Sequence, residues 1–239
     1  MLELKQISVG YAGRYQIPNV NLSFAPGKIY TVVGKNGSGK SGLLKLCSGT
    51  ASPETGSVLL NGKNLAGFSE NDILKQIGYL PQDRQAVTIP ARRLVARSLP
   101  PKFRNTGKVT PEQGRTVYNC LGAMKAAGLA QLPMNQLSRG ERRRVFMAAL
   151  LAQDPEIFLL DEPFSDLDVE FRQLSLETIL NLKAQGKTVV IAMQDLDMAM
   201  RYSDEMVVVD IGREVHTGTP DQIRKAGILE KVFHMPAPQ

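Results

Sequence analysis

The stretch "KIYTVVGKNGSGKSGLLKL", residues 28–46, decides the fold. A short β-rich apolar run, "KIYTVV", feeds into "GKNGSGKS", Gly34 to Ser41, which fills G-x-x-x-x-G-K-[ST] at every position. A helix start, "GLLKL", follows at once. Glycines in such a loop let backbone N–H groups curl around phosphate oxygens, and the helix N-terminus adds a favourable dipole. Lys40 is then expected to reach the β- and γ-phosphates, and Ser41 to supply an oxygen to Mg²⁺. With Lys35, Asn36, Gly37, Ser38, Gly39 and Gly42, these residues form a candidate loop for binding a nucleoside triphosphate.

Upstream of the loop, "LELKQISV" alternates and "NVNLSFA" reads as a second strand. Downstream, "GSVLLNG" is a strand closed by Asn-Gly, residues 69–77 form a capped helix, and "GYLPQD" is a strand that breaks at Pro81. Between about 84 and 152 the pattern turns helical, and both "TPEQ" and "SRGE" have the form of a capping box. Strands return with "EIFLLDEP", a long helix covers about 168–185, and "KTVVIAM", "EMVVVDIG" and "REVHTG" close the pattern. Strands and helices interrupted by a helical block predict a mixed α/β core carrying a helical insertion.

"IFLLDEP", residues 157–163, is the second chemical signal. An apolar strand that delivers Asp161 at its end is how a phosphate-loop protein holds magnesium, and Glu162 beside it can polarise an attacking water.

Composition narrows the classes. At 239 residues the chain can bury a core without disulfide or metal staples. The two cysteines, Cys47 and Cys120, have no framework or metal-site spacing and are expected to be reduced thiols. With His216 and His234 as the only histidines, zinc chemistry and histidine-based triads have little to work with. No apolar run approaches the roughly 20 residues a membrane span needs, and "MLELKQISVGY" lacks the form of a signal peptide, so a cytosolic protein is expected. The net charge of +6 suits an acidic partner without choosing one.

With these signals in hand, the chain resembles the nucleotide-binding subunits of ABC transporters. "LSRGE" (Leu137, Ser138, Arg139, Gly140, Glu141) stands where the family carries its LSGGQ-type signature; Gln82 in "LPQD" takes the Q-loop place. "SDLD" (Ser165, Asp166, Leu167, Asp168) matches the D-loop, and Tyr11 in "VGY" falls where the family stacks an aromatic ring on adenine. The resemblance spans essentially the whole chain. It implies a RecA-like core with a β subdomain at about 1–83 and 153–239, and a helical subdomain at about 84–152. It implies ATP and Mg²⁺, with Ser41, Gln82 and Asp161 at the metal, and a homodimer that closes on two ATP molecules. Each signature would then face the ATP of the partner subunit. Membrane-embedded permease subunits, served by a substrate-binding protein, would hold the chain at the cytoplasmic face of the inner membrane. "GYLPQD", "ARRLVARSLPP" and "GTPDQI" look most like importers of iron–siderophore, haem or cobalamin complexes.

Two departures from the family bear on chemistry. Gln194 stands where the family has the histidine that contacts the γ-phosphate; an amide can donate a hydrogen bond but cannot shuttle a proton. Slower hydrolysis with intact ATP binding is expected. Arg139 replaces the first signature glycine; it is expected to point outward, the alternative being a cation added near the γ-phosphate. The run "RGERRRV" looks basic enough for nucleic acid, yet Arg142, Arg143 and Arg144 are consecutive and fan out at about 100° each around a helix. They cannot make one flat stripe. Some of them are expected instead to pair with acids or support the nucleotide site, with a solvated surface charge as the alternative for any single one. A weakly hydrolysing dimerisation module and a soluble ABC ATPase of cluster assembly stay as alternatives.

Overall fold

A computed structural model describes residues 1–11, 15–82, 87–100, 110–210 and 214–234, with the strand residues 9–11 and 15–18 described by backbone alone. The N-terminal part runs β1 (Leu2–Tyr11), β2 (Tyr15–Phe24), β3 (Ile29–Gly34), α1 (Lys40–Cys47), β4 (Thr55–Leu60), β5 (Lys63–Asn64), α2 (Glu70–Gln76) and β6 (Ile77–Leu80). Among the described residues the α-helices that follow are α3 (Ala91–Ser98), α4 (Pro111–Ala123) and α5 (Arg139–Gln153). The chain then returns through β7 (Ile157–Asp161), α6 (Val169–Ala184), β8 (Thr188–Ala192), α7 (Leu196–Tyr202), β9 (Glu205–Val209), β10 (Val215–Gly218), α8 (Pro220–Lys225) and α9 (Ile228–Phe233).

Two sheets form. An antiparallel sheet has the order β2-β1-β4-β5, and a six-stranded sheet has the order β10-β9-β3-β8-β7-β6. The latter is parallel except for the antiparallel edge pair β9–β10.

Its central strands are apolar throughout because both faces are covered. Successive side chains alternate, so Ile29 and Val33 enter one core while Tyr30 and Val32 enter the other. Phe158 and Leu160 oppose Ile157 and Leu159 in the same way. One core lies against α1 and the antiparallel sheet. The other runs without a break into the helical block, where Val95, Leu121, Met124 and Val145 are fully buried.

The local signals for helix starts hold. Thr110 with Gln113, and Ser138 with Glu141, form complete capping boxes. At α5 the Glu141 carboxylate accepts from the Ser138 amide at 2.8 Å, and the Ser138 hydroxyl accepts from the Glu141 amide at 3.2 Å. Removing such a cap costs about 1 kcal/mol. Helix α1 starts earlier than the "GLLKL" pattern indicates, with Lys40 as its first residue. Among the described residues, β10 is followed by two further helices. Helices α7, α8 and α9, of seven, six and six residues, are too short to show a helical period in the sequence.

Cys47 is fully buried, and burial pushes its thiol up to about 12, while Cys120 is half-buried. A thiol titration of the native protein with an aromatic disulfide reagent should therefore count at most one reactive cysteine, and two after denaturation. Two fast thiols in the native state would show that α1 is loosely packed.

Candidate active site

Strand order gathers the site. β8 lies between β3 and β7, so the chain segments leaving Gly34, Asp161 and Ala192 emerge side by side at one sheet edge. Asp161 and Val32 both pair with Ala192 in register. With strands about 4.8 Å apart, the phosphate loop and Asp161 stand roughly 10 Å from each other across β8. Open α/β sheets bind ligands at this carboxyl edge.

The loop after β3 is tightly built. A Cβ at Gly34 would lie 2.5 Å from the Ser38 hydroxyl and 2.6 Å from the Val209 carbonyl, so only glycine fits. The Ser38 amide closes the turn on the Lys35 carbonyl at 3.0 Å. Lys40 is only 7% exposed, and its ammonium donates to the carbonyls of Gly34 at 2.9 Å and Lys35 at 3.2 Å. Burial lowers its pKa, opposed by the carboxylates of Glu162 and Asp161. Ser41 and Gly42 are half-buried in the first turn of α1, while Asn36 and Gly37 sit exposed at the rim. No acidic residue occupies that first turn, which leaves the helix dipole free to attract an anion.

Asp161 is 2% exposed, and its Oδ1 has no hydrogen-bond partner. The next residue, Glu162, takes a left-handed backbone with φ 49°, uncommon for a side-chain-bearing residue, while its amide bonds the Ala192 carbonyl at 2.9 Å. This turn holds the Glu162 carboxylate beside the strand ends. Burial raises its pKa, while a hydrogen bond from Gln194 and the charge of Lys40 pull it down. The expected position of Gln194 thus joins the site through Glu162 itself.

Gln82 is exposed just beyond β6. In the signature, Leu137 is buried, Ser138 and Arg139 are exposed, and Gly140 packs so closely on the D-loop that a Cβ would lie 2.8 Å from the Asp166 carbonyl. Ser165 and Asp166 continue the turn from Glu162, Leu167 is buried, and Asp168 caps α6 by accepting from the Phe171 amide at 3.0 Å. Ser138 and Glu141 bond each other. The side chain of Tyr11 lies outside the described residues.

The arginine run resolves into separate jobs. Arg142 donates to the Leu137 carbonyl at 2.7 Å. Arg144 donates to the Lys125 carbonyl at 2.8 Å and lies 3.7 Å over the Phe171 ring. Arg143, 9% exposed, reaches the Glu162 carbonyl at 2.7 Å and the Gln82 carbonyl at 2.8 Å. Sequence reasoning placed Arg143 among three arginines expected to pair with acids or support the nucleotide site, without separating it from the other two. Three adjacent arginines carry no local mark of which of them reach the Glu162 turn and the Gln82 loop.

A strand–loop–helix phosphate cradle, a buried lysine and a strand-end carboxylate pair on this sheet define a P-loop nucleoside triphosphatase. The ABC transporter family pattern matches residues 17–165. The iron(3+)-hydroxamate import ATP-binding protein of Bacillus subtilis is 34% identical over 238 residues, covering 99% of this chain and 88% of that protein. The hemin import ATP-binding protein of Rhizobium meliloti is 32% identical over 98% of this chain and 91% of its own length. Among solved structures, the dimeric post-hydrolysis state of the ATP-binding cassette MJ0796 bound to ADP and Pi superposes with a TM-score of 0.81 at 26% identity, covering 92% of this chain and 99% of that one. The chain belongs to the ABC transporter ATP-binding family and is an ATPase of that class.

Proposed function

We propose that the chain energises an importer of iron–siderophore, haem or cobalamin-type complexes by closing as a homodimer on two ATP molecules. The carrying observation is a set of three buried oxygens with no hydrogen-bond partner at one strand-end edge: Ser38 Oγ, Asp161 Oδ1 and Glu162 Oε1. A buried polar atom left unsatisfied costs about 1–3 kcal/mol, so such a cluster is a site built for a ligand. The oxygens fit Mg²⁺ with ATP. Among the described residues no cluster of three His, Cys, Asp or Glu could hold a metal alone, and magnesium is commonly held by one or two carboxylates together with substrate phosphates.

In this reading Asp161, Ser41 and Gln82 hold Mg²⁺, which neutralises charge on the phosphates when bound. Lys40 exchanges its loop carbonyls for phosphate oxygens, and the amides of Lys35 to Gly42 cradle the rest. Tyr11 stacks on adenine. Glu162 accepts the proton of the attacking water, and Gln194 orients that carboxylate. The capped start of α5, with Ser138 and Gly140, meets the γ-phosphate held by the partner subunit. Iron–siderophore and haem cargo is supported by the similarity to the siderophore and hemin import relatives. No helix of the described residues is long and apolar enough to cross a membrane. The similarity to import ATP-binding proteins supports permease subunits as partners, with this chain peripheral at the cytoplasmic face and a substrate-binding protein upstream.

Reconstitution with a candidate permease in proteoliposomes tests the reading. ATP-dependent uptake of a ferric hydroxamate, haem or cobalamin is expected, with Mg²⁺-dependent phosphate release. Phosphate release that no permease stimulates would point instead to a soluble ATPase. Gln194→His should raise kcat several-fold, about 2- to 10-fold as a fraction of what a positioned proton-transfer group contributes. A kcat unchanged or lowered in that variant would count against a hydrolysis-limiting role for the amide.

A further inference from the structure

We infer that Arg143 is a positioning residue that fixes the backbone of the Glu162 turn and of the Gln82 loop to helix α5, so that the signature end of the subunit is registered to its own catalytic carboxylate. Three parts of the chain meet at one guanidinium. Its Nη1 donates to the Glu162 carbonyl at 2.7 Å and lies 3.5 Å from the Asp161 carbonyl, and its Nη2 donates to the Gln82 carbonyl at 2.8 Å. These residues lie 61 and 19 positions away in sequence. The Glu162 carbonyl also accepts from the Ser165 amide at 3.2 Å, so the same oxygen anchors the start of the D-loop.

The backbone needs this support. Glu162 sits at φ 49° and Asp166 at φ 61°, both in the left-handed region that side-chain-bearing residues seldom occupy. A planar, permanently charged fork can hold two carbonyls in fixed directions, which an ammonium on a flexible stem cannot. At the other end of the link, Arg143 lies one turn into α5, five residues after the Ser138 cap. The close packing of Gly140 on the Asp166 carbonyl makes a second tie between the same helix turn and the same loop. A shift of the Glu162 turn or the Gln82 loop is therefore transmitted to the signature as a rigid displacement. This rests on the assignment of Glu162 as the catalytic base and of the signature to the partner's ATP.

The test compares steady-state ATP hydrolysis of the full-length wild type with Arg143→Lys, which keeps the charge but loses the fork, and Arg143→Gln, which removes the buried charge. Misplacing a catalytic group by about 1 Å costs about 100-fold, so kcat should fall about 10- to 100-fold in both variants with KM for ATP changed less than about three-fold. A residue that only stabilised the fold would lower Tm and leave kcat intact below it. A kcat within two-fold of wild type overturns the inference, and so does a loss confined to KM. If neither variant folds, nitrogen-detected NMR of the wild-type arginines decides: a fixed bridge shows separate, slowly exchanging Nη signals for Arg143, and one averaged signal overturns the inference. A wild type that hydrolyses no ATP would instead refute the assignment of the site.

Discussion

Glu162→Gln should lose about 100- to 10,000-fold in kcat, the contribution of a positioned general base, while keeping ATP affinity. Gln preserves the shape and a hydrogen bond to Gln194 but cannot take a proton. ATP would then hold the variant in the closed dimer, so size-exclusion chromatography with Mg-ATP should show a dimer that persists where the wild type returns to the form seen without nucleotide. The same variant carries a stability signature. The folded-state pKa of Glu162 is raised by burial, so between the unfolded and folded values the native state binds more protons and its stability falls as pH rises. Above that window the ionised carboxylate is a standing cost. The neutral amide removes it, so the variant's Tm should exceed that of wild type at neutral pH and converge with it in acid. The raised pKa also moves the acid limb of the wild-type rate profile above the ordinary carboxylate range. A variant with more than a tenth of wild-type kcat would remove Glu162 from the role of base.

Lys40→Ala should weaken Mg-ATP binding and lower kcat by about 100- to 1,000-fold, the scale of removing one preorganised charge from a transferring phosphoryl group. Lys40 is buried beside two carboxylates, and its ammonium bonds only loop carbonyls among its described partners. Deleting it leaves the charges of Asp161 and Glu162 less compensated, so the loss should appear in both KM and kcat. Isothermal titration with ATP and a phosphate-release assay separate the two. Binding and turnover within three-fold of wild type would show that the loop does not hold the γ-phosphate.

Much of the site is contiguous in the chain and was legible for that reason. Gly34 to Ser41 encodes a loop whose chemistry is its own backbone, and the strand before it and helix after it are neighbours in sequence. Asp161 and Glu162 stand out because an unbroken apolar strand runs into them. Ser138 and Glu141 announce a helix start three residues apart. The illegible part is non-local. Gln194 reaches Glu162 because β8 lies between β3 and β7, and strand order leaves no mark on a single strand's residues.

The sequence by itself determined the phosphate loop, the strand-end acids, the helix caps and the alternation that buries both faces of the parallel sheet. Each follows from interactions within a few residues, where spacing is geometry. Only the tertiary structure decided that Arg143 and Arg144 of "RGERRRV" are both buried, that Arg143 grips carbonyls of two distant loops, and that short helices follow among the described residues of the C-terminal part. Consecutive arginines have the same local propensity. Their fates separate only when α5 packs into the fold, where Arg143 meets the Glu162 and Gln82 carbonyls and Arg144 meets the Lys125 carbonyl.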